Sequence, residues 1–181
     1  IQLCNTCDII MLQEHWLLPT DLPLLSALHV DFLATAHSAV DISTQILVGR
    51  PYGGTAILYR KHFGSKITAV DTYDPRICAN KIMSCIGPIL LICVYMPTDA
   101  GNLECLENYV ATCANITALI QDSDAVHTVI AGDFNCNSGT RFYSAFHNLA
   151  SDCGLLMTDI NRLPVDTVTY CNDAGTALSW I

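Results

Sequence analysis

The side chains whose types and positions could support chemistry are Glu14, Tyr95, Asp133 and Asn135. Each stands at or just beyond the carboxyl end of an apolar run with the composition of a buried strand. Asp133 and Asn135 are two positions apart, so an extended backbone directs both to the same side, and Gly132 before them lets the chain pass close to a ligand. If the three strands lie side by side, these groups converge at one mouth of the sheets.

Glu14 and Asp133 are carboxylates and therefore suit a hard divalent cation, with Mg²⁺ expected and Mn²⁺ as an alternative. Such a cation can polarise a phosphoryl oxygen and stabilise a leaving oxyanion. The Asn135 amide can donate to a phosphate oxygen, and the Tyr95 hydroxyl can donate where charge develops in a transition state. The sequence has neither a G-x-S-x-G nucleophile elbow nor a G-x-x-x-x-G-K phosphate loop. This set favours phosphate chemistry over acyl transfer.

Each of these residues also has a purely structural interpretation. Gly-Asp-Phe-Asn is a sequence that favours a turn after a strand, and Glu14 could be a surface carboxylate that opens a helix. Tyr95 could be half-buried packing. Two histidines close to these segments, His15 and His127, are interpreted as structural and are assigned no role.

The elements that must position these side chains can be predicted from the hydrophobic pattern. An apolar stripe at helical spacing over 102–121 indicates a helix that packs on a core rather than a cofactor site. Strands are predicted over 8–14, 55–59, 66–70, 77–85, 89–95 and 127–131, helices over 17–28, 102–121 and 141–153, and a hairpin over 165–170 and 177–181 with its turn at 172–175. This alternation predicts an α/β fold with two packed sheets and helices outside.

Composition limits the class of protein. The chain has 181 residues, of which 51% are hydrophobic, and this indicates one globular domain over 1–181. No apolar stretch is long enough to span a membrane, and no secretory leader opens the chain. The ten cysteines are expected to be mostly buried thiols, because the chain is long and apolar enough to form a core and no secretory signal is present. The single C-x-x-C, Cys4 to Cys7, has no second pair to complete a zinc site.

The basic residues are concentrated in one part of an acidic chain. The net charge is −9, yet six of the eight Lys and Arg residues fall between Arg50 and Lys81. Arg50, Arg60 and Lys61 are therefore candidate contacts to a phosphate backbone. A solvated outer strand face is the alternative, and the pattern does not favour either interpretation.

Taken in order, the segments resemble the endonuclease/exonuclease/phosphatase family. The family's metal-binding Glu strand is similar to 9–14, its glycine-led hairpin strand to 52–57, its Tyr-x-Pro strand to 94–97 and its Gly-Asp-Phe-Asn element to 130–135. Within this family, the segments most resemble those of the endonuclease domain of LINE-type (non-LTR) retrotransposon proteins. That narrower likeness is carried by Tyr95-Met-Pro-Thr98 and by the closing segment from Thr169 to Ile181.

The resemblance implies a four-layer α/β sandwich that hydrolyses DNA phosphodiester bonds with Mg²⁺. It implies Glu14 as a metal ligand and Asp133 as the group at the metal that orients or deprotonates the attacking water. It implies Asn135 as a phosphate contact and Tyr95 as support for the phosphate in the transition state. A reverse transcriptase domain in the same polypeptide and an intracellular, nuclear location are also implied, with no membrane association.

The sequence departs from the family pattern at both ends. The family has an earlier strand with a metal-binding Asn, and a later Asp and Ser-Asp-His element that this sequence does not contain. The 181 residues alone are therefore expected to be inactive or nearly so, because catalytic residues act as a unit. Two alternatives stay open: a family phosphatase or RNA exonuclease, and a non-catalytic remnant that serves as a binding or structural module.

Overall fold

The computed structural model describes residues 2–43, 49–137, 139–158, 162–164, 167, 170–171 and 178–179. The chain forms two compact units. The first comprises Ile1–Tyr95 with Leu119–Asp133, and the second comprises Met96–Ala118 with Phe134–Ile181.

The first sheet of the first unit contains three strands, β1 (Ile9–Gln13), β2 (Phe32–His37) and β3 (Thr55–Arg60). Their order is β1-β3-β2, and every pair is antiparallel. Thr55 is opposite both Gln13 and His37, whereas Arg60 is opposite Phe32. The start of β3 and the end of β1 therefore lie at one end of the sheet, and Arg60 lies at the other.

The second sheet contains β4 (Ile67–Val70), β5 (Ile77–Ser84), β6 (Gly87–Tyr95) and β7 (His127–Asp133), in that order. The first three strands are joined by antiparallel pairs, and β7 runs parallel to β6. A parallel pair needs a long crossover connection, and the chain supplies one that contains the helix α3 (Leu103–Asp122).

The two sheets face each other across an apolar core. Ile57 from the first sheet packs with side chains of the second sheet, which are Cys78, Ile82, Leu91 and Cys93. The opposite face of the first sheet is covered by α1 (Gln2–Thr6) and α2 (Pro23–Ala27), which contribute Cys4 and Leu25 to a second core with Ile10, Phe32, Ala56 and Leu58. Alternate strand residues thus serve two cores, as the period of two requires.

The second unit has its own packing. It contains the first part of α3, the helix α4 (Tyr143–Asp152) and the short antiparallel strands β8 (Tyr170–Cys171) and β9 (Leu178–Ser179). The Tyr109 ring stacks on Phe142 at 4.2 Å between centroids, and its hydroxyl donates to the Phe134 carbonyl at 3.0 Å. Arg141 forms a salt bridge with Asp99.

The α/β fold class with two packed sheets and helices is confirmed, although the described strands of the first sheet are all antiparallel. Three elements were not predicted: α1, β2 and a 3-10 helix over Lys61–Lys66. The predicted helix over 17–28 is a short 3-10 turn, Pro19–Asp21, followed by α2. The predicted turn over 172–175 lies outside the described residues. None of the described helices is long and apolar enough to cross a membrane. The buried cysteines are free thiols, as expected, and are Cys4, Cys78, Cys93, Cys113 and Cys136.

Candidate active site

Tyr95 and Asp133 lie side by side at the carboxyl ends of β6 and β7. They are register partners in the parallel pair, so both side chains leave the sheet at the same edge. Gly132 makes this pairing close. Its φ is +153°, and a Cβ atom placed there would lie 2.0 Å from the Val94 carbonyl oxygen. No residue with a side chain could occupy position 132 without moving the backbone that carries Asp133.

Glu14 follows β1 directly and has a left-handed backbone with φ +53°. Its N–H donates to the Gly54 carbonyl at 2.9 Å, and the Trp16 N–H donates to the Gly53 carbonyl at 3.0 Å. These two hydrogen bonds continue the pairing of β1 with β3 beyond the end of the strand and fix the turn over 14–17. A Cβ on Gly53 would lie 3.9 Å from the Tyr95 ring, so this turn stands beside Tyr95.

The electrostatics of Tyr95 bring three of the predicted residues together. The pKa of the Tyr95 hydroxyl is raised to about 12, first by burial and then by a hydrogen bond to the Glu14 carboxylate. The negative charges of Glu14 and Asp133 raise this pKa further, and the Arg76 guanidinium lowers it. Tyr95 therefore stays protonated at neutral pH and acts as a hydrogen-bond donor beside two carboxylates.

Arg76 is a site residue to which the sequence assigns no role. Its guanidinium donates to the Tyr95 carbonyl at 3.3 Å and lies 5.8 Å from the centroid of the Tyr95 ring. The Tyr95 N–H in turn donates to the Arg76 carbonyl at 2.9 Å. Arg76 thus holds Tyr95 in place and supplies one positive charge beside a phenol that also feels the negative charges of Glu14 and Asp133.

His15 orders the turn that presents Glu14. Its Nδ1 accepts from the Leu17 N–H at 3.1 Å, so the proton is on Nε2, which donates to the His37 carbonyl at 3.0 Å. Burial lowers the pKa of His15, which favours this neutral form. A Cβ on Gly54 would lie 2.3 Å from the imidazole, so only glycine lets the ring pack there. These contacts support the structural interpretation of His15.

Trp16 is the second site residue that sequence reasoning did not identify. Its side chain is 51% exposed, and its backbone is left-handed with φ +57°. The indole Nε1–H donates to Glu14 Oε2 at 3.3 Å, and the Arg50 guanidinium lies 5.7 Å from the ring centroid. The run Gln-Glu-His-Trp carries no periodicity that would mark this tryptophan.

The three predicted phosphate contacts do not cluster. Arg50 lies beside Trp16, whereas Arg60 lies at the end of the first sheet away from Glu14. The Arg60 Nε donates to Asp8 Oδ1 at 2.8 Å. The N–H of the next residue, Lys61, donates to the Asp31 carbonyl. The structure therefore brings only Arg50 near Glu14.

Asn135 belongs to the second unit. It has a left-handed backbone with φ +47°, and its Nδ2 donates to the Met96 carbonyl at 2.8 Å. This bond fixes the orientation of the amide. His127, at the opposite end of β7 from Asp133, is exposed.

The donor set of Glu14 and Asp133 fits a hard divalent cation. The negative charges of both groups raise the pKa of the same phenol, Tyr95, so both carboxylates lie near it. Carboxylate oxygens are the ligands that such cations select. Within the part of the chain that the structure describes, no group of three or more His, Cys, Asp or Glu side chains could hold a metal ion. A cation that keeps several water ligands needs only one or two carboxylates, so this pair suits a hydrated ion of the Mg²⁺ type.

A comparison with protein-family models identifies the family to which the chain belongs. The chain belongs to the Endonuclease/Exonuclease/phosphatase family, whose model matches residues 1–177. Members of this family are typically phosphodiesterases or nucleases, and the nucleases generally use divalent metal ions. No curated protein is significantly similar to the chain in sequence.

Solved structures support the same fold. The human Nocturnin catalytic domain with bound sulfate superimposes with a TM-score of 0.54 at 15% identity, covering 83% of this chain and 58% of that chain. D. rerio TDP2 humanized by 14 mutations gives a TM-score of 0.51 at 16% identity, covering 86% and 57%. D. rerio TDP2 complexed with single-strand DNA product gives 0.50 at 15% identity, covering 86% and 55%. The chain therefore spans little more than half the length of these relatives.

Proposed function

We propose that this chain is part of a Mg²⁺-dependent phosphodiesterase that cleaves DNA, and specifically of a retroelement endonuclease that nicks target DNA. The observation that carries the proposal is that Glu14, which follows a strand of the first sheet, acts on the same protonated Tyr95 as Asp133, its partner at the end of the second sheet. D. rerio TDP2, which shares the fold, has been crystallised with a single-strand DNA product, and this favours DNA as the substrate class.

The proposed mechanism assigns one task to each side chain. Glu14 and Asp133 would hold the cation, which would supply polarisation of the phosphoryl group. Asp133 orients the attacking water and accepts its proton as the new P–O bond forms and the bond to the leaving oxygen breaks. The Tyr95 hydroxyl donates a hydrogen bond to a phosphate oxygen as negative charge develops there. Asn135, two residues beyond Asp133 in the sequence, is proposed as a further phosphate contact.

The raised pKa of Tyr95 suits this task. A phenol with a pKa of about 12 keeps its proton at neutral pH and cannot add a third negative charge beside the phosphate. Arg76 is hydrogen-bonded to the Tyr95 carbonyl and holds the end of the strand in position. The Tyr95 hydroxyl can then give up its hydrogen bond to Glu14 and donate to a phosphate oxygen instead. The site thus offers a fixed donor rather than a nucleophile.

The test is a supercoiled-plasmid nicking assay with the complete polypeptide that contains this chain. We expect nicking that requires Mg²⁺ and that falls by about 10²-fold or more in Asp133→Asn and Glu14→Gln. Matched controls are Asp152→Asn and Glu107→Gln, because both carboxylates are exposed on helices. Equal nicking by wild type and Asp133→Asn would contradict the assigned role.

The narrower retroelement assignment has its own test. A reverse transcriptase in the same reading frame, together with nuclear accumulation of the polypeptide, would support it. A complete polypeptide that binds DNA but nicks no plasmid with any divalent cation would instead support a non-catalytic module. Faster release of phosphate from small phosphoesters, or faster trimming of RNA, would favour a different activity within the family.

A further inference from the structure

Trp16 is an exposed aromatic residue held in an unfavourable backbone conformation at the edge of the candidate site. Its side chain is 51% exposed and its φ is +57°. A left-handed backbone is rare for a bulky residue. About half of the surface of Trp16 stays in contact with solvent, so burial does little to offset this strain. Strained residues of this kind cluster at ligand sites, so the ring is a candidate for contact with substrate.

The surrounding turn fixes the ring rather than leaving it free. The Trp16 N–H donates to the Gly53 carbonyl. The same turn is held by the Glu14 N–H, which donates to the Gly54 carbonyl, and by the Leu17 N–H, which donates to His15 Nδ1. The indole Nε1–H bonds Glu14 Oε2 at 3.3 Å. An aromatic ring presented in a fixed orientation loses little conformational entropy when a ligand stacks on it.

The charge around the ring suits a nucleotide. The Arg50 guanidinium lies 5.7 Å from the centroid of the Trp16 ring, in a chain whose net charge is −9. The guanidinium lies over one face of the indole, so a base would stack on the other face while Arg50 attracts the adjoining phosphate. The indole N–H donates a hydrogen bond to Glu14, one of the two carboxylates proposed to hold the cation. A base stacked on Trp16 would therefore lie next to the phosphate being cleaved.

We propose that Trp16 and Arg50 form a stacking site for one unpaired nucleobase of the DNA strand, next to the scissile phosphate. The inference rests on the proposed function for the position of the phosphate. A base inside a duplex has both faces covered, whereas an unpaired base offers a face to an aromatic side chain, and such stacking tolerates any sequence. The enzyme would therefore prefer DNA that is single-stranded or locally opened at the cleavage site.

The test measures binding separately from cleavage. Asp133→Asn in the complete polypeptide is titrated, at one fixed salt concentration, with a fluorescent single-stranded oligothymidylate and with a blunt duplex. Adding Trp16→Leu should weaken binding of the single strand by about 5- to 150-fold, the range for loss of one stacked base, and change duplex binding by less than about twofold. Arg50→Leu should weaken the single strand in the same way.

Two further variants separate stacking from other roles of the tryptophan. Trp16→Phe keeps a ring but loses the N–H to Glu14, so it should bind the single strand almost as wild type does. If Phe weakens binding as much as Leu, the indole only positions Glu14 and the stacking site is wrong. Leu28→Ala is the matched control, because Leu28 is 52% exposed and precedes β2 at the other end of the first sheet. It should leave binding unchanged.

A series of gapped duplexes, each with one abasic position in a short single-stranded gap whose flanking duplexes fix the register, makes the test independent of the variants' folding. With the wild-type ring, one abasic position should weaken binding far more than the others, and in Trp16→Leu that position should no longer matter. Uniform loss along the strand would overturn the inference. Failure of the proposed function is distinguishable: wild type would then fail to nick with Mg²⁺, whereas an enzyme that nicks but binds single strands independently of Trp16 refutes only the stacking site.

Discussion

Replacing Gly132 with alanine should separate the two strands that carry the site. The Cβ of alanine would lie 2.0 Å from the Val94 carbonyl oxygen and 2.9 Å from its carbonyl carbon and its nitrogen. These are backbone atoms, which cannot rotate away as a side chain can. The strand β7 must therefore move away from β6 at the point where Asp133 stands opposite Tyr95.

The size of the effect follows from the distances. Cβ contacts below 3.0 Å are essentially absent from real structures, so a contact of 2.0 Å requires a shift of about 1 Å (3.0 − 2.0). Overpacking of this kind costs about 1–3 kcal/mol, and the φ of +153° adds strain for any residue with a side chain. A misplacement of about 1 Å at a catalytic group can cost about 10²-fold in rate.

The assay compares Gly132→Ala with Gly101→Ala in the complete polypeptide. Gly101 also has a positive φ, +83°, but its added Cβ would meet no atom within 4 Å, so it reports the backbone strain alone. We expect Gly132→Ala to lower both the denaturation midpoint and the nicking rate well below those of Gly101→Ala. Equal stability and equal nicking in the two variants would refute the claim that close strand packing positions Asp133.

Three other predictions follow from the same site. Burial lowers the pKa of His15 from 6.5 in the folded protein, so His15 binds a proton more readily in the unfolded chain. Stability is therefore lost as the pH falls below about 6.5. Denaturant titrations across this range should show a smaller loss in His15→Gln than in wild type. Tyr95→Phe should lower the nicking rate by about 10²–10³-fold with little change in the denaturation midpoint, because it removes a transition-state donor and keeps the ring. Arg60→Gln, which breaks the pair with Asp8 and the hydrogen bond to the Cys4 carbonyl, should lower stability by about 1–3 kcal/mol and leave nicking unchanged. Arg50→Gln should instead weaken DNA binding and reduce its salt dependence.

The strands that carry the site could be predicted because their hydrophobic pattern is strong. The runs that became β1, β6 and β7 are continuously apolar and end in polar residues, and the structure places them where the pattern indicated. Strand β2 was missed because its centre, Leu33 to Ala36, has no bulky alternating residues and resembles a loop or a helix turn as much as a strand. Its position in the sheet is determined by pairing with β3, which a local pattern does not reveal.

The residues that order the site could not be predicted in the same way. Glu14 and Asp133 stand at the ends of apolar runs and have an evident chemistry, but the role of Trp16 depends on a left-handed turn that brings the indole back to Glu14. The role of His15 depends on Gly54, more than thirty residues later, leaving room for the ring. Likewise, the sequence alone did not separate Arg50 from Arg60, because only the strand register shows that Arg60 lies at the far end of the sheet.

The most direct test of the shared site is the pKa of Tyr95 itself, measured by NMR of ring-labelled tyrosine with Tyr95→Phe for assignment. The structure predicts a value of about 12, and it predicts that Glu14→Gln and Asp133→Asn each lower it while Glu107→Gln does not. A Tyr95 pKa near 10 that neither variant changes would contradict the account, because it would place the two carboxylates away from the phenol.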